Sequence, residues 1–219
     1  LVCGYPNNPT GAVAAPDLFA RLAAYGDRHD LVLCHDHAYA EIAYDDAQAP
    51  SALGHAGFRA RGIEILSLSK TYSVPGWRIA FAVGNPEIVG TLRRLKTQID
   101  SGMFPALQRT AAWMLRQDDL DGPPVAVYRA RRDLACARLA EIGLPVDPPA
   151  GGMYLWVPVP GGETSEAFAE RLLRDAAVVV TPGTAYGEGG EGYVRLALTV
   201  PEERLREALD RIGAALAAS

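Results

Sequence analysis

The sequence predicts an α/β protein: a mostly parallel sheet through the first part of the chain, followed by a small α+β unit at the carboxyl end. Three observations carry that prediction. Short apolar runs alternate with amphipathic helical periods through the first part of the chain, which is the pattern of βαβ units. The runs LVLCHD (31–36) and IEILSLS (63–69) are apolar on neighbouring residues, as strands covered on both faces are. After GLPVDPPAGG (143–152) the texture changes, and strands and helices follow one another in shorter, mixed order.

Each element has its own signal. LVCG followed by YPNNPTG reads as a buried strand that ends in a Pro/Asn/Gly turn. APDLFARLAAYGDRH (15–29) is an amphipathic helix, with Pro16 near its first turn and Leu18, Leu22 and Tyr25 at helical spacing. RIAFAVG (78–84) is a further strand, and Asn85-Pro86 opens a helix over PEIVGTLRRLKTQI. Two more helices are predicted from Pro105 to Gln117 and from Pro124 to Ile142. Then come a strand (MYLWVPV), a helix (SEAFAERLLRDA), two strands (VVV and GYVRLALTV) and a closing amphipathic helix, PEERLREALDRIGAALAA. A boundary falls in DDLDGPP or within the long helix after it, and the first placement gives domains 1–122 and 123–219.

Composition narrows the function. With 49% hydrophobic and 21% charged residues the chain can bury a sizeable core. The net charge of −5 and the absence of a basic run argue against nucleic acid as a partner. No apolar run reaches the ~18 residues of a membrane span, so no membrane is expected. Cys3, Cys34 and Cys136 are an odd set with no CxxC pair, which suits reduced thiols in a cytoplasm and no metal centre. The chain opens on Leu-Val-Cys-Gly with no initiator methionine, as expected of a piece of a longer protein.

In open α/β sheets functional groups gather beyond the carboxyl ends of strands. Three predicted strand ends carry unusual polar residues: Asn8 after the first, Asp36 and Tyr39 after the second, and Ser67, Ser69 and Lys70 after the third. Together they offer what pyridoxal phosphate needs: an amine for its aldehyde, a carboxylate for its ring nitrogen, donors for its phenolate and hydroxyls for its phosphate. Each has a plainer reading. A lysine is ordinarily a solvated surface residue, although Lys70 and Lys96 are the only two here. Asp36 fits a turn cap as well as a buried anion, and Asn8 fits the turn of an Asn-Pro pair. Arg78 is either a strand-edge charge or, with Ser67 and Ser69, part of a phosphate cradle. Arg195 interrupts an apolar strand, which suits a sheet edge or a fixed fork for a carboxylate. His35 and His37, beside Asp36, either orient it or are simply packed.

Taken in order, YPNNPTG, DHAYAE, SLSKTYSVPGWRIAF, GGMYLWVPV and GYVRLALT resemble the successive signatures of class I/II aminotransferases, the fold-type I pyridoxal-phosphate enzymes. QIDSGMFPALQ and the stretch from TSEAFAERLL to ALDRI are similar to the branch that contains LL-diaminopimelate aminotransferases. The resemblance implies the later part of a mostly parallel pyridoxal-phosphate-transferase large domain and then the small domain. It implies pyridoxal 5'-phosphate as cofactor and transfer of an amino group from an amino acid to a 2-oxo acid by a ping-pong mechanism in a cytoplasmic homodimer. Lys70 would be the catalytic amine. Asp36 would pair with the ring nitrogen, and Tyr39 and Asn8 with the phenolate oxygen. Ser67, Ser69 and Arg78 would hold the phosphate, and Arg195, beside Asn8, the substrate carboxylate. The family's glycine-rich phosphate loop and ring-stacking aromatic precede these motifs, so the 219 residues alone are expected to be inactive. Two alternatives stand beside this reading: a C–S β-lyase using the same residues, and a regulatory or incompetent pyridoxal-binding module.

Overall fold

The computed structural model describes residues 1–117 and 124–218, so the expected boundary at 122/123 lies outside the described residues. The chain divides into two units: Leu1–Asn7 with Val13–Pro124, and Asn8–Ala12 with Val125–Ser219.

The first unit is built on a four-stranded sheet, β1 (Val2–Gly4), β2 (Leu33–Asp36), β3 (Gly62–Ser67) and β4 (Ala80–Gly84), in that order. The first three strands are parallel, with Gly4 opposite Asp36 and Asp36 opposite Ile65; β4 runs antiparallel to β3. Helix α1 (Leu18–Arg28) buries Phe19, Ala23 and Gly26, a spacing of four and three that gives one helical stripe. That stripe meets Leu33 of β2 and Phe58 of α2 (Ala56–Arg61), and the Phe19 and Phe58 rings pack edge to face 5.7 Å apart. Full burial of one such side chain is worth about 1.5–3 kcal/mol.

The third strand is shorter than the apolar run that predicts it. It ends at Ser67, whose hydroxyl accepts the Ser69 N–H at 3.2 Å and so caps a single helical turn, α3 (Leu68–Thr71). A second small core of Leu68, Ile79 and Ala111, with Trp77, Phe81 and Leu107 against it, holds that turn down. Helix α4 (Pro86–Ile99) starts where Asn85 predicts, because the Asn85 Oδ1 accepts from Glu87 N at 2.9 Å and Ile88 N at 3.1 Å. Helix α5 (Pro105–Met114) ends three residues earlier than expected.

The second unit has α6 (Val125–Glu141), α7 (Ser165–Ala176) and α8 (Glu202–Ala217) with a three-stranded antiparallel sheet in the order β5 (Tyr154–Pro158), β7 (Tyr193–Ala197), β6 (Thr181–Pro182). One continuous core joins Leu139, Leu155, Val157, Phe168, Leu172, Val194, Leu196, Leu205 and Leu209. The VVV run is not a strand. Val178 and Val180 are buried while Val179 is 81% exposed, and sheet pairing begins only at Thr181. The alternation is that of a strand, but among the described residues none pairs with it until Thr181 and Pro182.

Candidate active site

Lys70 sits in the α3 turn directly after β3, on a backbone fixed by the Ser67 cap and by Leu68 N donating to Ile79 O at 3.2 Å. It is half-buried, and its Nζ lies 6.0 Å from the centre of the Tyr39 ring. It has no ion-pair partner among the described residues. Lys96, the other lysine, is exposed and pairs with Asp100 at 2.7 Å one helical turn away. The contrast separates the two amines: one is an ordinary surface ion pair of small worth, the other a partly covered amine facing an aromatic ring with no acid among the described residues to satisfy it.

The hydroxyls around Lys70 are partly engaged. Ser67 Oγ donates to Ile79 O at 3.3 Å in addition to its cap, and Ser69 is buried. Arg78 is exposed, donates to Pro75 O at 3.0 Å, and holds φ of 55° in the left-handed region. A non-glycine residue there costs of order 1 kcal/mol and persists where its surroundings impose it. The chain folds this way because the short turn Pro75–Trp77 must reverse direction before β4.

Asp36 departs from expectation. The reading of a buried anion fails in this structure: the residue is exposed, and its Oδ1 accepts the Ala38 N–H at 3.2 Å. The physical reason is alternation. Strand β2 turns His35 inward, and His37 just past its end is turned the same way, with 0% and 4% exposure, which leaves Asp36 on the opposite face. Tyr39 follows in the turn beyond it, and the Tyr39–Lys70 approach brings the ends of β2 and β3 together.

Beneath Asp36 lies a buried cluster that sequence reading only half found. His35 Nδ1 is 3.0 Å from Glu64 Oε2, and His35 Nε2 is 3.1 Å from Tyr5 O. His37 Nδ1 lies 3.1 Å from Glu64 Oε1, near enough for a charge contact but off the line of a directed hydrogen bond. Ser51 Oγ donates to the same carboxylate at 3.0 Å and Ala52 N at 2.8 Å. Burial pushes the Glu64 carboxyl up, but the hydrogen bonds from His35 and Ala52 and the close approach of His37 outweigh it and hold the group well below the usual carboxylate range. The signal for Glu64 was in the sequence: an acid inside the apolar run IEIL needs a buried partner.

Asn8 and Arg195 belong to the second unit, where the structure brings them together: Arg195 donates to Asn8 Oδ1 at 2.9 Å and approaches Thr181 Oγ1 at 3.4 Å. The Arg195 guanidinium stacks 4.0 Å from the Tyr154 ring centre and 5.1 Å from that of Tyr186. Flanking Val194 and Leu196 point into the core, so alternation along β7 sends Arg195 the other way. Register places Trp156 on one side of it and Thr181 on the other. The Asn8 segment is held by Gly11, whose carbonyl accepts from Gly151 N at 3.0 Å at φ of +70°, and where a Cβ would collide with Pro149. Tyr154, Thr181 and Tyr186 were missed because their role depends on strand register, which no local pattern states.

Comparison with known proteins places this geometry. The family model for aminotransferase class I and II matches residues 1–212. The chain is 47% identical over 213 residues to LL-diaminopimelate aminotransferase 2 of Trichormus variabilis, covering 97% of this chain and 55% of that protein. It is 47% identical, over the same shares, to LL-diaminopimelate aminotransferase of Dehalococcoides mccartyi. The crystal structure of an aromatic aminotransferase from Pyrococcus horikoshii superposes with a TM-score of 0.93 at 32% identity, covering 100% of this chain and 59% of that one. The chain thus spans a little over half the length of the proteins it matches.

Proposed function

This chain belongs to the class I and II aminotransferases, and from that premise we propose that the protein transfers an amino group from an amino acid to a 2-oxo acid with pyridoxal 5'-phosphate as cofactor. The observation that carries the reading is the half-buried Lys70 amine, without an ion partner among the described residues, 6.0 Å from the Tyr39 ring centre at the ends of adjacent parallel strands. The residues present fit the cofactor's chemistry: a free amine, a carboxylate at the next strand end, and hydroxyls around the turn.

When bound, the cofactor supplies an aldehyde that bonds reversibly to amines and a ring that draws electrons from the amino acid's α-carbon. Lys70 would hold the cofactor through its Nζ, and the same amine would take a proton from the substrate's α-carbon and return one on the acceptor side, as a positioned general base and acid. Asp36 keeps a proton on the ring nitrogen, which favours electron withdrawal. Tyr39 and Asn8 donate to the phenolate oxygen. Ser67, Ser69 and Arg78 hold the phosphate, for which Arg78 would exchange its bond to Pro75 O. Arg195 grips the substrate carboxylate with its planar fork, already oriented by Asn8 and by the Tyr154 ring.

We read LL-diaminopimelate or a related amino acid as the donor, since the relatives at 47% identity are named for that substrate. A homodimer suits the apolar side chains left exposed on α4 and α5, Ile99 and Trp113 among them. A cytoplasmic setting suits three free cysteines, and no described helix is long and apolar enough to cross a membrane. The test is to add pyridoxal phosphate to the full-length protein, record the visible absorption band, and assay amino transfer from LL-diaminopimelate to a 2-oxo acid. A flat spectrum would refute the reading. Pyruvate released from cystathionine, without amino transfer, would replace it with the β-lyase.

A further inference from the structure

The hydrogen bonds beneath Asp36 fix a proton count. His35 Nδ1 faces a Glu64 oxygen and His35 Nε2 faces the Tyr5 carbonyl, at 3.0 and 3.1 Å. An ionised carboxylate and a carbonyl are acceptors only. A neutral imidazole has one N–H, so it would leave a nitrogen lone pair against an oxygen lone pair in a site with no solvent access. Only the imidazolium donates to both. Glu64 for its part accepts from His35, Ser51 and Ala52, while His37 stacks on His35 with ring centres 4.5 Å apart.

We propose that His35 is held as an imidazolium in a buried ion pair with Glu64, and that this pair is the clamp that positions Asp36 from beneath. The clamp reaches all the backbone around that residue. His35 and His37 are its two chain neighbours, Glu64 lies opposite His35 across the parallel β2–β3 pair, and Tyr5 follows β1. Ser51 and Ala52 tie in the loop before α2. Among the described residues, the titratable groups facing His35 are Glu64 from β3 and His37 from just past the end of β2. Phe19 of α1, whose ring centre is 4.9 Å away, brings no charge.

Two histidines and a carboxylate within 4.8 Å of one another are also what a divalent metal would take. The bonding favours the proton. The separations are hydrogen-bond lengths, and both ring nitrogens of His35 already have acceptors. The positioning half of the proposal rests on the cofactor role given to Asp36; the protonation half does not.

Histidine-selective ¹⁵N NMR on the full-length protein, assigned with H35Q, reads the protonation directly. Both nitrogens of His35 are expected to carry protons at neutral pH, as the two acceptors facing them require; one bare nitrogen at neutral pH overturns the ion pair. E64Q removes the charge at constant shape. It should return His35 to a single proton and weaken pyridoxal phosphate binding roughly tenfold by absorbance titration, with the far-UV spectrum kept. Should E64Q fail to fold, S51A should move both readouts in the same direction by less. Cofactor affinity unchanged in a folded E64Q, or in S51A if E64Q does not fold, overturns the positioning role. Stoichiometric zinc that survives dialysis and is lost in H37A overturns the clamp in favour of a metal centre. If D36N binds cofactor as the parent does, the role of Asp36 fails while the NMR result for His35 stands.

Discussion

Asp36 and Arg195 are both charged groups carried on strands, and what fixes each is different. Arg195 projects from β7 between Val194 and Leu196, which sit in a continuous hydrocarbon core shared with α6, α7 and α8. Asp36 ends β2 above a polar cluster, and two apolar cores among the described residues of its unit are small and separate, one under α1 and α2 and one around Leu68 and Ile79. Apolar side chains there also remain outside, with Val2 75% and Ile99 73% exposed. The second unit therefore positions its arginine by packing, which is insensitive to pH. The first holds its acid above a cluster of hydrogen bonds and charge, which are not.

The largest effect that sharpens this contrast is a core truncation. Leu209 is fully buried in the second unit, so Leu209→Ala should cost about 2–5 kcal/mol in chemical denaturation; a loss under 1 kcal/mol would mean that core is less continuous than described. Next comes Arg195→Lys, which keeps the charge and loses the fork that Asn8 and Tyr154 orient. It should lower kcat/KM for the amino acid about 10–100-fold with stability nearly unchanged.

Acid titration separates the units further. The Glu64 carboxyl is held below its usual value, so its contribution is fully present above the unfolded value of about 4.3 and is lost as pH falls through the depressed folded value. The first unit should therefore lose stability below about pH 4, followed by the Trp77 environment, and E64Q should flatten that loss. A slope unchanged in E64Q would place the acid sensitivity elsewhere. The smallest effect expected is Asn85→Ala, which removes the α4 cap and should cost about 1 kcal/mol in thermal denaturation.

Much of this was legible from local pattern. The strands and helices follow from apolar runs and capping residues such as Asn85, and Lys70 is conspicuous in a chain with two lysines. What local pattern missed was set by pairing in three dimensions. The exposure of Asp36 follows from which face β2 turns inward, the stacking on Arg195 from the register of β5 and β6, and the irregular VVV run from the lack of a neighbouring strand. Glu64 is intermediate: its burial shows in the sequence, but its histidine partners emerge only when β2 and β3 lie side by side.

The function proposed for the first unit turns on Lys70 being the amine that bonds to the cofactor. Reducing the full-length protein with borohydride in the presence of pyridoxal phosphate and mapping its peptides tests this directly, because Lys96 is the only other lysine of these residues. The added mass is expected on the peptide carrying Lys70 and should disappear in Lys70→Ala. A label on Lys96, or one that persists in Lys70→Ala, would contradict it.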